Sequence, residues 1–280
     1  MDKIRVYFRQ AVMILSLLAL YAIFQGLFTK LVFSAYSFLH PGVSVGQPFT
    51  GAGTGVHSGT FYMLMSIGLL LSAVAMLLVL HLTGAFRFRK GIFTSIAARP
   101  LFLSVLLVFT SIWALNIFVQ WFPLENMLES QFKGLSHNIL GIISISVMAP
   151  LLEEVLFRGA ILGALLRSTG NPWCAITVSA LIFGIFHMNP IQVVYATLLG
   201  MVLGWIYYRT RNLLSVIVGH VLNNTIAVFT TIAFGVAEEE EIANNSLGIV
   251  AFVFFVAASV FLAVKLNKSL PTSKSNSWHN

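Results

Sequence analysis

Five ionisable side chains stand in sequence that is otherwise apolar: Glu153, Glu154 and Arg158 within the run that starts near Ile139, and His187 and His220 in two later runs. A charge at membrane depth costs roughly 2.5 to 3.5 kcal/mol even on the mildest insertion scales, so it needs a partner and marks a functional site. Glu154 and Arg158 are four residues apart with the acid first, the favourable order for an ion pair on one helix, so they can neutralise each other. Glu153 projects about 100° around the helix from Glu154 and has no local cation, so it faces a cavity, water or another helix. His187, one turn after Phe183, and His220, one turn before Asn224, are its candidate neighbours. The chemistry open to this set is water activation, with a carboxylate as general base and an imidazole sharing or relaying the proton. Peptide hydrolysis also needs donors aimed at a developing oxyanion, and His220 and Asn224 supply two from a single helix face. No serine or cysteine nucleophile stands out, and Cys174 lies near the end of its segment, away from the level of the other groups.

The elements that must hold these residues are membrane helices. The chain has 280 residues, is 58% hydrophobic and only 9% charged, and contains successive apolar stretches of the length that crosses a bilayer. Because backbone amides in lipid must be satisfied within the segment, continuously apolar stretches are helices and not barrel strands, which predicts an all-α polytopic protein. Eight spans are predicted, near residues 10–30, 61–82, 101–121, 139–167, 174–188, 191–208, 213–234 and 247–266, the fifth being short. With the N-terminus inside, thirteen of the sixteen Lys and Arg fall on the cytoplasmic side, whereas Lys30, Lys133 and the acidic run 238–241 fall outside. Both termini are then cytoplasmic. At a rise of about 1.5 Å per residue, Glu154 lies roughly 20 Å from Arg167, His187 a similar distance from the loop before its helix, and His220 and Asn224 roughly 13 and 20 Å beyond Arg211. Three helices thus bring polar groups to a similar level. Pro150, one turn before the glutamates, predicts a kink that opens space for them.

Other features are assigned no chemistry. The net charge of +7 is spread over short loops and explained by orientation, which argues against nucleic acid as a partner. The GAGTGVHSG run lies in a connector expected over residues 34–60; no strand precedes it and no GK[ST] follows, so it is not a phosphate-binding loop. The first span is expected to be retained rather than cleaved as a signal peptide. The expected organisation is an N-terminal part over 1–100 with two helices and a cytoplasmic loop, a catalytic membrane core over 101–266, and a disordered polar tail over 267–280.

Three motifs sharpen this reading. The run from Glu153 to Arg158 resembles an EExxxR motif, Phe183 to His187 an FxxxH motif, and His220 to Asn224 an HxxxN motif. In this order, on separate apolar helices, they resemble those of the CAAX protease and bacteriocin-processing family, the CPBP or Abi intramembrane proteases related to the Ras-converting CAAX prenyl protease. The resemblance covers roughly residues 100 to 235. It implies an eight-helix membrane endopeptidase with a cavity open to the cytosol and to lipid, in the bacterial cytoplasmic (inner) membrane, acting on membrane-associated and in some relatives lipidated substrates. Some relatives are linked to bacteriocin maturation or immunity. In that picture Glu153 activates water with His187 beside it, His220 and Asn224 stabilise the oxyanion, and Glu154 with Arg158 holds the base in place. No cofactor is expected; the alternative is zinc held by Glu153, His187 and His220, although the H-E-x-x-H signature is missing. Alternative functions are a non-catalytic membrane scaffold of the same fold and a proton-coupled transporter, the latter disfavoured because the buried polar groups lie in one half of the chain.

Overall fold

The computed structural model describes residues 2–41, 57–86, 96–234 and 246–270, and among these the regular structure is all helical, with no strand. Nine helices follow one another: α1 (Asp2–Leu39), α2 (Ser58–Leu82), α3 (Ala98–Gln120), the short α4 (Glu129–Ser136), α5 (Ile139–Thr169), α6 (Pro172–Phe186), α7 (Pro190–Thr210), α8 (Leu213–Ala233) and α9 (Ser246–Ser269). Seven of them are long and apolar enough to cross a membrane, and α6, at 15 residues, is the short apolar element expected fifth. The protein is an integral membrane protein.

One boundary and one local geometry differ from the expectation. Helix α1 continues through Leu39, so residues 34–39 are not part of the connector; the stretch contains no helix breaker, and the first one met is Pro41. At Pro150 the distortion takes the form of π-helical widening, over Ser144–Met148 before it and Glu154–Leu162 after it. In the first of these, the Ala149 N–H reaches back five residues to the Ser144 carbonyl. The glycine-rich run 51–56, the basic cluster 87–90, the acidic run 238–241 and the tail from 271 lie outside the described residues.

Side-chain caps and left-handed residues set the ends of the helices that bear the motifs. Asn138 caps α5 by accepting from the Gly141 N–H at 2.7 Å, and Gly170, at φ 65°, ends it. Asn171 accepts from Trp173 and Cys174 N–H to start α6, with Pro172 in the first turn. Asn212 does the same for α8 through the Ser215 N–H at 2.9 Å.

Helix α5 is the buried axis. Leu152, Val155, Leu156, Phe157, Ile161 and Leu162 are all fully buried, whereas α9 and α1 present most of their surface outward, as lipid-facing helices do. Close helix approach in a membrane depends on small residues, because burial from lipid gives no hydrophobic gain. The α6–α7 hairpin, which lies against α5, is held this way at Gly184: a Cβ there would sit 2.6 Å from the Val193 carbonyl oxygen and overlap the Thr197 hydroxyl. Gly184→Ala is therefore expected to destabilise the fold by about 1–3 kcal/mol through overpacking. A lower midpoint of thermal unfolding in detergent checks this, and an unchanged midpoint would show that the hairpin can relax.

Candidate active site

Glu154 on α5 is fully buried, and its Oε1 accepts from two partners. Arg158 Nη1 donates to it at 2.8 Å from one turn further along, the intrahelical pair expected from the spacing. His220 Nδ1, arriving from α8, stands 2.7 Å from the same oxygen. A carboxylate only accepts, so this contact places the proton on Nδ1 and turns Nε2 the other way. Nε2 lies 3.7 Å from Glu153 Oε2, too far for a direct hydrogen bond but close enough for both atoms to touch a third. Glu153 retains 15% side-chain exposure, in contrast to its buried neighbour. Glu154 thus holds the imidazole as well as the arginine, a link that spacing on one helix could not disclose.

Phe183 of α6 ties the remaining groups together. Its ring is 4.8 Å from that of His187 and 5.8 Å from that of His220, both edge-on, and the Arg158 guanidinium carbon lies 4.4 Å above it. Arg158 Nη2 also donates to the Gly200 carbonyl of α7 at 3.3 Å, so this cation is bound by α5, α6 and α7 at once. The aromatic residue of the FxxxH motif therefore organises the site as well as preceding its histidine. His187 itself caps α6, half-buried, with Nδ1 2.8 Å from the Phe183 carbonyl. It joins the other groups through Phe183. Met188, which follows it, takes φ 49°, and the buried side chain of Asn189 then bonds Asn126 and the Met127 N–H, anchoring the hairpin tip to the loop before α4.

Asn224 lies on α8 one turn beyond His220, and its Nδ2 donates to the Ile145 carbonyl at 2.7 Å. That carbonyl lies in the first π-helical stretch of α5, where backbone pairing shifts register and an oxygen is exposed to a side-chain donor. Cys174 is exposed at the start of α6, at the opposite end of that helix from Phe183 and His187.

Three further residues join the site without having been singled out in sequence. Tyr21, on α1, is buried with its ring stacked on Phe186 at 5.2 Å; it shares a hydrogen bond with Gln25 and lies in electrostatic range of Glu153. Asn223 and Tyr195 are bonded beside Asn224. The available signal was their polarity: Asn223 interrupts an apolar helix next to a motif residue, while Tyr21 sits in a helix with no motif at all.

Among the described residues no group of three or more His, Cys, Asp or Glu side chains is arranged to hold a metal ion; the Nδ1 contact of His220 to Glu154 leaves its Nε2 open.

Comparison with known proteins covers this same region. Residues 135–226 match the family described as type II CAAX prenyl endopeptidase Rce1-like, a stretch that contains Glu153, Glu154, Arg158, His187, His220 and Asn224. The Bacillus subtilis (strain 168) protein named "Putative membrane peptidase YdiL" is 37% identical over 89 residues, 32% of this chain and 36% of that relative. The match thus spans about a third of the curated relative's length. No solved structure matches the chain.

Proposed function

We propose, from the match of residues 135–226 to the Rce1-like family of CAAX-type proteases, that the chain is an intramembrane endopeptidase that hydrolyses membrane-associated peptides or proteins with glutamate-activated water. The observation that supports this best is His220 between two carboxylates, 2.7 Å from Glu154 Oε1 and 3.7 Å from Glu153 Oε2. One acid is buried and orients the imidazole. The other is partly open and able to meet water.

In the proposed reaction Glu153 removes a proton from water as its oxygen attacks the scissile carbonyl carbon. The tetrahedral oxyanion accepts from the free N–H of Asn224 and from Nε2–H of His220 once that ring has gained a proton. The proton then passes from the Glu153–His220 pair to the leaving nitrogen as the C–N bond breaks. Glu154 holds the imidazolium in place, and His187, on the shared Phe183, stands as a second imidazole at the site. Both termini are proposed to be cytoplasmic, in a bacterial inner membrane.

No step in this scheme uses a metal. Incubating the purified protein with EDTA or 1,10-phenanthroline is expected to leave the cleavage rate within about twofold, as glutamate and imidazole alone activate the water. Loss of activity restored by added zinc would instead assign Glu153, His187 and His220 as ligands. The test of the function itself is cleavage of an internally quenched peptide ending in a farnesylated CaaX tetrapeptide, with the protein reconstituted in lipid vesicles. Release of a tripeptide supports the reading, and an intact reporter argues against a CAAX-type substrate.

A further inference from the structure

Beside the HxxxN motif runs a chain of three side-chain bonds. Tyr195 of α7 donates its O–H to Asn223 Oδ1 at 2.5 Å; Asn223 Nδ2 donates to Asn224 Oδ1 at 2.9 Å; and Asn224 Nδ2 donates to the Ile145 carbonyl at 2.7 Å. Every link in it is directional. A primary amide presents an acceptor on one side and two donors on the other, so which way it faces decides whether it can stabilise negative charge. The phenolic O–H of Tyr195 donates to the Asn223 oxygen, and in that arrangement the Asn223 nitrogen faces Asn224. That nitrogen in turn needs an acceptor, which turns the Asn224 oxygen to Asn223 and its NH2 group away. One of the two Asn224 N–H bonds is taken by the Ile145 carbonyl, and in the reaction proposed above the other donates to the oxyanion.

We propose that Tyr195 and Asn223 are positioning residues that set the Asn224 amide with its nitrogen toward the substrate. This rests on the oxyanion role given to Asn224 above. Neither residue belongs to the three motifs, and both act through Asn224. Networks of this kind couple more strongly than isolated pairs, since losing one member releases the rest. Without the phenolic O–H, Asn223 can turn over and oppose its oxygen to that of Asn224, which displaces the Asn224 amide from the pose in which it donates.

The test has two arms on the full chain in lipid nanodiscs. In the first, the farnesylated CaaX reporter is used to measure kcat and KM. Removing an oxyanion donor outright costs about 10²–10³-fold in rate, so misorienting it in a fraction of molecules is expected to lower kcat about tenfold in Tyr195→Phe with KM little changed. Asn223→Asp, which still accepts from Tyr195 but cannot donate to Asn224, is expected to do the same. In a double-mutant cycle Tyr195→Phe is expected to add nothing to Asn224→Ala, whereas a purely structural role for Tyr195 predicts additive losses. In the second arm, asparagine labelled with ¹⁵N in the side chain reports the Asn224 NH2 signal, assigned by its loss in Asn224→Ser. Tyr195→Phe is expected to shift that signal. An unmoved signal overturns the proposal, as does a shifted one with unaltered kcat. If the native chain leaves the reporter intact, the CAAX-type substrate is ruled out, and the NMR arm alone decides the coupling.

Discussion

Glu153→Gln is expected to abolish proteolysis while leaving the protein in the membrane at its normal level. Glutamine keeps the volume and one acceptor but cannot take the proton from water, and loss of a positioned general base lowers rates by on the order of 10²–10⁴-fold. Folding is spared for a structural reason. The Arg158 cation is neutralised by Glu154, and Glu153 has His220 Nε2 at 3.7 Å and 15% of its side chain open, so removing its charge strands no buried partner. The measurements are the initial rate on the farnesylated reporter and the membrane level by immunoblot. A variant that accumulates and still cleaves would remove Glu153 from the chemistry.

Arg158→Ala should do the opposite and reduce the protein's accumulation. Breaking a buried pair by deleting one partner costs about 3–5 kcal/mol, because the other charge is left without compensation. Here the loss is compounded: Arg158 also bonds the Gly200 carbonyl and packs on Phe183, so α5, α6 and α7 lose a common anchor. Replacing both members with apolar residues of similar size, Glu154→Leu with Arg158→Met, is expected to recover much of that stability, since neither charge remains to be desolvated. The double variant should nonetheless be inactive, because His220 loses the acceptor that holds Nδ1. Thermal unfolding in detergent and reporter cleavage separate the two effects. A double variant as unstable as Arg158→Ala would show that packing, not charge, dominates at this position.

Much of the architecture was legible in the sequence because the bilayer imposes it. Length and apolar continuity located the eight apolar helices found among the described residues, and the short fifth element was recognised from its span. The Glu154–Arg158 pair followed from spacing on one helix, which is a local property. What spacing could not supply was any contact between helices. His220 was expected near Glu153, yet its shorter contact is to Glu154, because which acid a histidine on α8 meets depends on the rotation and widening of α5. Those π-helical stretches, on either side of Pro150, are announced by no pattern of residues. Tyr21 was missed for a related reason: α1 bears no motif and is mostly outward-facing, and one buried tyrosine within it gains meaning only once Phe186 and Glu153 are beside it. The over-short first helix was a different error, from reading Ser34 as the start of a loop when the breaker is Pro41.

The central claim, that water is activated on Glu153 within a membrane-embedded site, is tested most directly by comparing the protein termini in membranes of cells that express either the intact chain or Glu153→Gln at matched levels. The account predicts at least one membrane protein whose new terminus appears with the intact chain and is lost with the glutamine variant. Identical sets of termini in the two membranes would contradict it.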